Sequence, residues 1–424
     1  MTGMRDGLAA YATVTAAYWS FMLTDGALRM LVLLHFNALG FSPVQLAYLF
    51  LLYEFAGIVT NLSGGWLAAR FGLTATLYAG LGLQIVALLA LTQLDPGWTV
   101  AASVAFVMLV QGASGVAKDL AKMSSKSAVK HLAPSEAGGL FRWVALLTGS
   151  KNAVKGLGFL LGAALLAIAG FQAALLAMAG VLAAILAGAL AFMPKGLPAG
   201  RKGVPFREVF SKDARVNRLS LARVFLFGAR DVWFVVGVPI YFYAVFSDGT
   251  PEGNRAAFFL VGSFMALWII GYGAVQAAAP RFLARSTRTE ADTVEAARFW
   301  VGGLTLIPLA LAGLALAAGG AAAWLTAALI AGLLLFGVVF AFNSALHSYL
   351  ILAFTRSERV SLDVGFYYMA NAGGRLLGTL LSGLSFQIGG LALCLGTAAA
   401  MAAASWLAMR HPAQAPAPLP QAGG

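Results

Sequence analysis

"PKGLPAGRKGVPFREVFSKDARVNR" (residues 194–218) is the longest polar connection in this 424-residue sequence. It holds seven basic residues against two acidic ones, and it separates two apolar stretches of similar length. We therefore predict an N-terminal helical bundle over residues 1–194 and a basic linker over 195–218. We also predict a C-terminal bundle over residues 219–410 and a disordered cytoplasmic tail over 411–424.

The composition of both halves indicates a membrane protein. Hydrophobic residues make up 60% of the chain and charged residues only 10%, and a water-soluble domain cannot bury that much apolar surface. The net charge of +12 is also common in nucleic-acid-binding proteins, but no soluble basic domain or aromatic-basic module accompanies it here. We therefore expect membrane lipid, and no nucleic acid, among the partners.

Twelve apolar runs are long enough to cross a bilayer, which takes about 20 residues of helix. Six lie in each half, with turn residues such as Pro43, Asp95 and Gly97 between them. We predict an all-α membrane protein with twelve transmembrane helices in two six-helix bundles. The runs lie near 12–36, 44–68, 74–93, 98–117, 141–168, 172–194, 219–245, 258–279, 299–318, 322–345, 364–387 and 389–409.

Lysine and arginine are distributed unevenly among the connections. Alternate connections hold nearly all of them, for example Arg70, the linker and residues 281–298, whereas Arg255 alone falls on the opposite side. Cytoplasmic loops of membrane proteins carry such an excess. The sequence predicts a multi-pass protein of the cytoplasmic (inner) membrane with both termini in the cytoplasm.

Eight ionisable residues fall near the middle of predicted helices, where each costs about 2.5–3.5 kcal/mol on insertion scales. They comprise five cations and three acids: Arg29, Lys151, Lys155, Arg230, Arg375, Asp25, Glu54 and Asp231. Even if every acid pairs with a cation, two positive charges remain. Such an excess predicts a water-filled cavity that selects anions.

The pairing of these charges has several possible solutions. Asp25 and Arg29 are four residues apart, so they could form an intrahelical pair. Arg230 and its neighbour Asp231 point about 100° apart on a helix, which favours different partners for the two. Glu54 could neutralise Arg375 or a lysine across the bundle.

Lys151 and Lys155 share one face of the fifth predicted helix, with no acid at helical spacing. We expect both to face the cavity, with Asn152 as a neutral donor beside them. The predicted substrate-binding residues are therefore Arg29, Lys151, Asn152, Lys155, Arg230 and Arg375. The buried acids Asp25, Glu54 and Asp231 are candidates for charge pairing or proton coupling.

A lysine recurs at every fourth position of "SGVAKDLAKMSSKSAVK" (residues 114–130). The first two, Lys118 and Lys122, fall at the predicted cytoplasmic mouth, where they would attract an anion. Asp119 can pair with Lys122, three residues on. Lys126 and Lys130 are most simply solvated charges that fix the orientation of the helix.

The sequence offers no sign of catalytic or cofactor chemistry. The single cysteine, Cys394, lies in an apolar run, and no Cys/His spacing typical of metal sites occurs. The motifs H-E-x-x-H, G-x-S-x-G and G-x-x-x-x-G-K-[ST] are absent as well. We predict no enzyme, no metal and no cofactor, in a protein that functions as a monomer.

The two halves also repeat each other weakly. Phe141, Gly149 and Gly158 match Phe366, Gly374 and Gly383 at a constant offset of 225. Together with the six-plus-six layout, this repeat predicts pseudo-two-fold symmetry of a duplicated transporter.

The layout and the stretch "GGWLAARFGL" (residues 64–73) resemble the major facilitator superfamily. Its members carry G-x-x-x-D-R-x-G-R-R between the second and third helices, and here Gly65, Arg70 and Gly72 fit. Ala69 replaces the acid, and Leu73 replaces the first residue of the closing basic pair. The resemblance implies alternating access with this segment as a gating loop, although the departures remove most of its charge relay.

Five longer blocks are similar to the ArsJ-type organoarsenical efflux permeases of that superfamily. The resemblance spans residues 10–390, and its blocks are "YWSFMLTDGALRMLVLLHF", "LYEFAGIVTNLSGGWLAARFGL", "SGVAKDLAKMSSKSAVK", "LLTGSKNAVKGLGFLLG" and "LFGARDVWFVVGVPIY".

This resemblance implies export of 1-arseno-3-phosphoglycerate and hence arsenate resistance. Glyceraldehyde-3-phosphate dehydrogenase, which makes that compound when it accepts arsenate, would be the functional partner. A phosphate monoester carries about −1.5 to −2, and an arsenate group behaves similarly, so the small anionic substrate carries roughly −3 to −4. Two alternatives stay open: a facilitator for another organic phosphate, carboxylate or drug, and a membrane scaffold without transport.

Overall fold

The computed structural model describes residues 2–71, 73–132, 139–193, 210–283, 289–355 and 360–409. Within them, side chains are described except at residues 2–12, 64–71, 73, 123–132, 139–149 and 360–362. The described secondary structure is entirely helical. The helices are α1 (Thr2–Ala38), α2 (Pro43–Phe71), α3 (Leu73–Leu91), α4 (Val100–Leu132), α5 (Gly139–Phe192), α6 (Ala214–Val232), α7 (Val238–Phe246), α8 (Pro251–Leu283), α9 (Glu290–Ala318), α10 (Ala323–Phe354) and α11 (Val360–Ala408).

Two of these helices are broken at glycines and cross the membrane twice. Gly170 interrupts α5 with φ 78°, and Gly390 interrupts α11 with φ 58°. Both angles lie in the left-handed region, which glycine adopts without steric cost. The break at Gly170 falls between the fifth and sixth predicted runs, whereas the break at Gly390 falls at the start of the twelfth predicted run, 389–409.

A π-helical turn, Trp233–Gly237, joins α6 to α7 as a single span. With α5 and α11 each counted twice, the described residues form twelve spans, so the predicted number is confirmed. Several helices extend beyond the apolar runs, notably α4, which continues to Leu132.

The described helices fit a multi-pass membrane protein. Nine helical stretches are long and apolar enough to cross a bilayer by length and composition, with α1 outside that set. Large apolar side chains also remain exposed on the outside of the bundle, such as Ile168, Phe192 and Ile388. A lipid environment accounts for this exposure, because it removes these side chains from water.

The helices pack as two bundles that meet along two seams. In the first half α1 packs on α5 and α4 packs on α2 and α3, whereas in the second half α11 packs on α6 and α9. Contacts between the halves are made chiefly by α2 with α11 and by α5 with α8. The predicted domain boundaries stay predictions, since residues 194–209 and 410–424 lie outside the described residues.

The same glycine-mediated crossing occurs in both halves. A Cβ atom at Gly158 of α5 would lie 3.1 Å from the Cα atom of Gly26 in α1. A Cβ atom at Gly378 of α11 would lie 3.0 Å from the Cα atom of Gly228 in α6. Pseudo-symmetry of the two crossings therefore relates α5 to α11, as predicted.

The predicted offset of 225 between those helices is nevertheless wrong. Gly158 packs on α1 of its own half, whereas Gly383 packs on α2 of the other half near the carbonyl oxygen of Pro43, so the two positions are not equivalent. Glycine is so frequent in this chain that a local sequence match could not fix the register.

We expect Gly162→Ala to destabilise the first bundle, because its new methyl group would lie directly against the carbonyl oxygen of Ala27 in α1. Overpacking of this kind typically costs about 1–3 kcal/mol. The apparent melting temperature of the purified protein in detergent should fall. The matched control is Gly180→Ala in the same helix, where no atom lies within 4 Å of the added Cβ. Equal melting temperatures for the two variants would contradict this packing.

Candidate functional site

A cavity of about 260 Å³ lies between the two halves. Its walls come from α1, α2, α4 and α5 on one side and from α6, α8, α10 and α11 on the other. The lining extends from Arg29 and Phe234, near the centre of the bundle, to Lys122 and Tyr368. The latter two lie toward the end at which α2 passes to α3 and α4 to α5, which we call the basic end.

The lining is strongly basic. Eight basic and three acidic side chains face the cavity among the described residues, a formal excess of five positive charges. They are Arg29, Lys118, Lys122, Lys151, Lys155, Arg223, Arg230 and Arg375, and Glu54, Asp119 and Asp231.

All six residues predicted to bind substrate belong to this lining, including the neutral Asn152. The structure thus brings together side chains that are up to 346 positions apart in sequence. Their role in binding stays a prediction.

An ion-pair chain crosses from one half to the other. Glu54 Oε1 on α2 accepts from Arg29 Nη1 at 2.9 Å and from Arg375 Nη2 at 2.6 Å. Arg375 Nε also lies 3.3 Å from Asp231 Oδ2, and Asp231 Oδ1 lies 2.5 Å from Arg230 Nη2. Arg375 was one of the two partners considered for Glu54, and this pairing is therefore confirmed.

One possible pairing and one expected separation of charges are wrong. Arg29 pairs with Glu54 and not with Asp25, which accepts a hydrogen bond from the Tyr53 hydroxyl at 2.6 Å. Arg230 pairs directly with Asp231. The backbone directions of adjacent helical residues do differ by about 100°, but the long arginine side chain reaches back across that angle.

Lys155 also has an acidic partner, which its own helix did not reveal. Its Nζ atom lies 3.9 Å from Asp25 Oδ2 on α1, so the absence of an acid at helical spacing did not leave Lys155 unmatched. Of the three acid candidates, Asp25 therefore faces one lysine, whereas Glu54 and Asp231 each face two arginines.

Lys118 and Lys122 lie in the wall of the cavity itself. Lys118 is only 9% exposed, and its Nζ atom lies 4.0 Å from the centre of the Tyr53 ring. Lys122 Nζ donates to Asn61 Oδ1 at 2.6 Å and to Asp119 Oδ1 at 3.3 Å, so the pairing with Asp119 is confirmed. The side chains of Lys126 and Lys130 lie outside the described residues.

Sequence reasoning missed one basic residue of the cavity lining, Arg223 of α6. It is 4% exposed, and its guanidinium lies between the rings of Phe227 and Tyr367, at 3.9 and 4.9 Å from their centres. The sequence did contain a signal for Arg223, because it precedes Arg230 by seven residues. Two helical turns return nearly to the same face, so the two arginines share a side of α6.

For the predicted gating loop, the structure does not describe the side chains. Gly65 and Arg70 lie at the end of α2, where side chains are not described, and Gly72 lies outside the described residues. The gating loop therefore stays a prediction.

Cys394 is buried, and its thiol donates to the carbonyl oxygen of Val232 at 3.1 Å. Among the described residues, no group of three or more His, Cys, Asp or Glu side chains could hold a metal ion.

Comparison with known families gives one match. A family model described as Major Facilitator Superfamily matches residues 14–348. The comparison with curated protein sequences gives no match.

Solved structures of several transporters share the fold. A POT family transporter in complex with 5-aminolevulinic acid has a TM-score of 0.72 at 15% identity, over 93% of this chain and 94% of that chain. The nucleoside transporter NupG has a TM-score of 0.67 at 14% identity, over 95% and 98% of the two chains. A bacterial homologue of the iron transporter ferroportin in an inward-facing state has 0.66 at 13%, over 94% and 99%. Identities this low establish a shared fold alone.

We expect Glu54→Gln and Arg375→Gln each to lower the thermal stability, because either change leaves the other buried charge with only one of its two partners. The double variant should lose less free energy of unfolding than the sum of the losses in the two single variants, and the difference, the coupling energy, should be about 0.5–3 kcal/mol. Asp213→Asn and Arg215→Gln form a control pair, since those side chains are more exposed and should couple by less than about 1 kcal/mol. Additive losses for Glu54 and Arg375 would contradict the observed pairing.

Proposed function

The chain belongs to the Major Facilitator Superfamily, and we propose that it is a secondary active transporter that exports a small organic anion. Membership of this family supports a transporter rather than an enzyme. The observation that carries the choice of an anion is the cavity lining, with eight basic side chains against three acidic ones. An anion stabilises such a lining, whereas a cation would be repelled by it.

A phosphorylated organoarsenical is the substrate that best matches this charge. The blocks similar to ArsJ-type permeases favour 1-arseno-3-phosphoglycerate, whose phosphate and arsenate groups would bring roughly three to four negative charges to the cavity. The proposed substrate is not bound through a thiol. Carriers of trivalent arsenic would use soft thiolate ligands, and the sole cysteine, Cys394, is buried against Val232.

The position of the cavity would give a cytosolic substrate access to the site. Its lining extends from the centre of the bundle toward the basic end, and we place that end in the cytoplasm because basic connections face the cytoplasm in membrane proteins. A cytosolic anion would therefore meet Lys122 first and the deeper arginines afterwards. Rocking of the two halves would then expose the site to the opposite side.

The buried acids suggest how transport could be coupled to an ion gradient. Glu54 and Asp231 are both held by guanidinium groups. An entering phosphate or arsenate would compete for those guanidinium groups and free a carboxylate to accept a proton. We propose proton exchange through Asp25, Glu54 or Asp231, with exchange against inorganic phosphate as the alternative.

We expect Lys151→Ala and Arg230→Ala each to abolish arsenate resistance in cells that depend on this protein, because both remove a cation from the cavity. Membrane insertion and accumulation should stay normal, as checked by immunoblotting of membranes. Arg215→Ala is the matched control, since Arg215 pairs with Asp213 and Glu290 and is not part of the lining. Wild-type resistance in both cavity variants would refute their assignment to the site.

Everted membrane vesicles test the substrate directly. Supplied with glyceraldehyde-3-phosphate dehydrogenase, its aldehyde substrate, NAD and arsenate, they should accumulate arsenic, and omission of the dehydrogenase should prevent this. The accumulation should also be inhibited by 3-phosphoglycerate. Uptake of a neutral or cationic drug with no effect of phosphoglycerate would favour a different facilitator substrate.

A further inference from the structure

Three donors in the second half of the cavity lining, from two helices, converge on one buried hydroxyl group. The Ser344 Oγ atom on α10 lies 3.3 Å from Arg223 Nη1, 3.3 Å from the Tyr272 hydroxyl and 3.2 Å from Gln276 Nε2. Tyr272 and Gln276 are four residues apart, so they share one face of α8. Bonds to a hydroxyl oxygen are usually shorter than these, so this single oxygen satisfies its three donors poorly.

Arg223 differs from the other arginines of the cavity. Arg29, Arg230 and Arg375 each lie within ion-pair distance of a carboxylate, whereas Arg223 has no carboxylate partner in the described part of the chain. Its Nε atom is buried with no hydrogen-bond partner, and its side chain is 4% exposed. A buried guanidinium without a counter-ion is unfavourable, so this position favours a negative ligand.

We propose that Arg223, Tyr272 and Gln276 form an oxyanion subsite that holds one phosphate or arsenate group of the transported molecule. The guanidinium offers a planar fork of N–H donors that matches an oxyanion bidentately. The Tyr272 hydroxyl and the Gln276 amide add neutral donors beside it. The oxyanion replaces Ser344 Oγ as their common acceptor and supplies more lone pairs than a hydroxyl can.

This inference rests on the proposed function and makes it more specific. Lys118, Lys122, Lys151 and Lys155 line the first half of the cavity, whereas Arg223 belongs to the second. A molecule with an anionic group at each end can therefore bridge the two halves. The transporter should prefer such a molecule to one with a single anionic group.

Isothermal titration calorimetry on the full-length protein in nanodiscs tests the subsite, with inorganic phosphate and 3-phosphoglycerate as probes. Arg223→Gln should weaken the binding of both by about tenfold or more, because hydrogen bonds to charged groups are strong. Arg223→Lys should recover part of the loss. Tyr272→Phe and Gln276→Leu should weaken binding by about three- to tenfold, as expected for neutral donors.

Two controls separate ligand binding from folding. Tyr241→Phe removes a buried hydroxyl that lies 3.3 Å from Thr326 Oγ1 and is not part of the lining, so binding should be unchanged. Arg215→Gln removes an arginine from outside the cavity. If Arg223→Gln fails to fold, Tyr272→Phe and Gln276→Leu still decide the result, since neither changes the charge.

The outcomes distinguish the subsite from the transported substrate. Wild-type affinity in the Arg223, Tyr272 and Gln276 variants, with binding lost in Lys151→Ala, would overturn the subsite and leave the proposed anion export intact. Phosphate binding that depends on Arg223, in a protein that accumulates no arsenic in vesicles, would support the subsite and overturn the organoarsenical substrate. A wild-type protein that binds neither probe would overturn both.

Discussion

The carboxylate of Glu54 connects the two halves of this transporter. It is 1% exposed and lies between Arg29 of the first half and Arg375 of the second. Removing one member of a buried ion pair leaves an uncompensated charge, which is strongly destabilising. The contact between α2 and α11 thus depends on a shared anion as well as on close packing, and the rest of the cavity charge is arranged around it.

The cavity nevertheless contains more cations than its acids can neutralise. The three acids of the lining, Glu54, Asp119 and Asp231, each have a basic partner, yet the lining keeps a formal excess of five positive charges. Under the proposed function, a multiply charged anion would supply the missing counter-charge. Because it would also compete for the guanidinium groups that Glu54 holds, binding and the movement of the halves can share the same side chains.

Close helix crossings hold the helices of each half together. Gly26 meets Gly158 in the first bundle, and Gly228 meets Gly378 in the second. Small residues let backbones approach closely in membranes. In both halves these crossings lie within a turn or two of the charged side chains Asp25 and Asp231, so packing and electrostatics position the site together.

The sequence by itself determined the twelve spans, the breaks near Gly170 and Gly390 and the concentration of charge at mid-membrane, since hydrophobic length and glycine conformation are local properties. Only the tertiary structure decided the partners. It paired Lys155 with Asp25, joined Arg230 to Asp231, and left Arg223 facing Ser344 with no carboxylate in the described part of the chain. Long charged side chains can reach several helices, so their partners depend on how those helices pack.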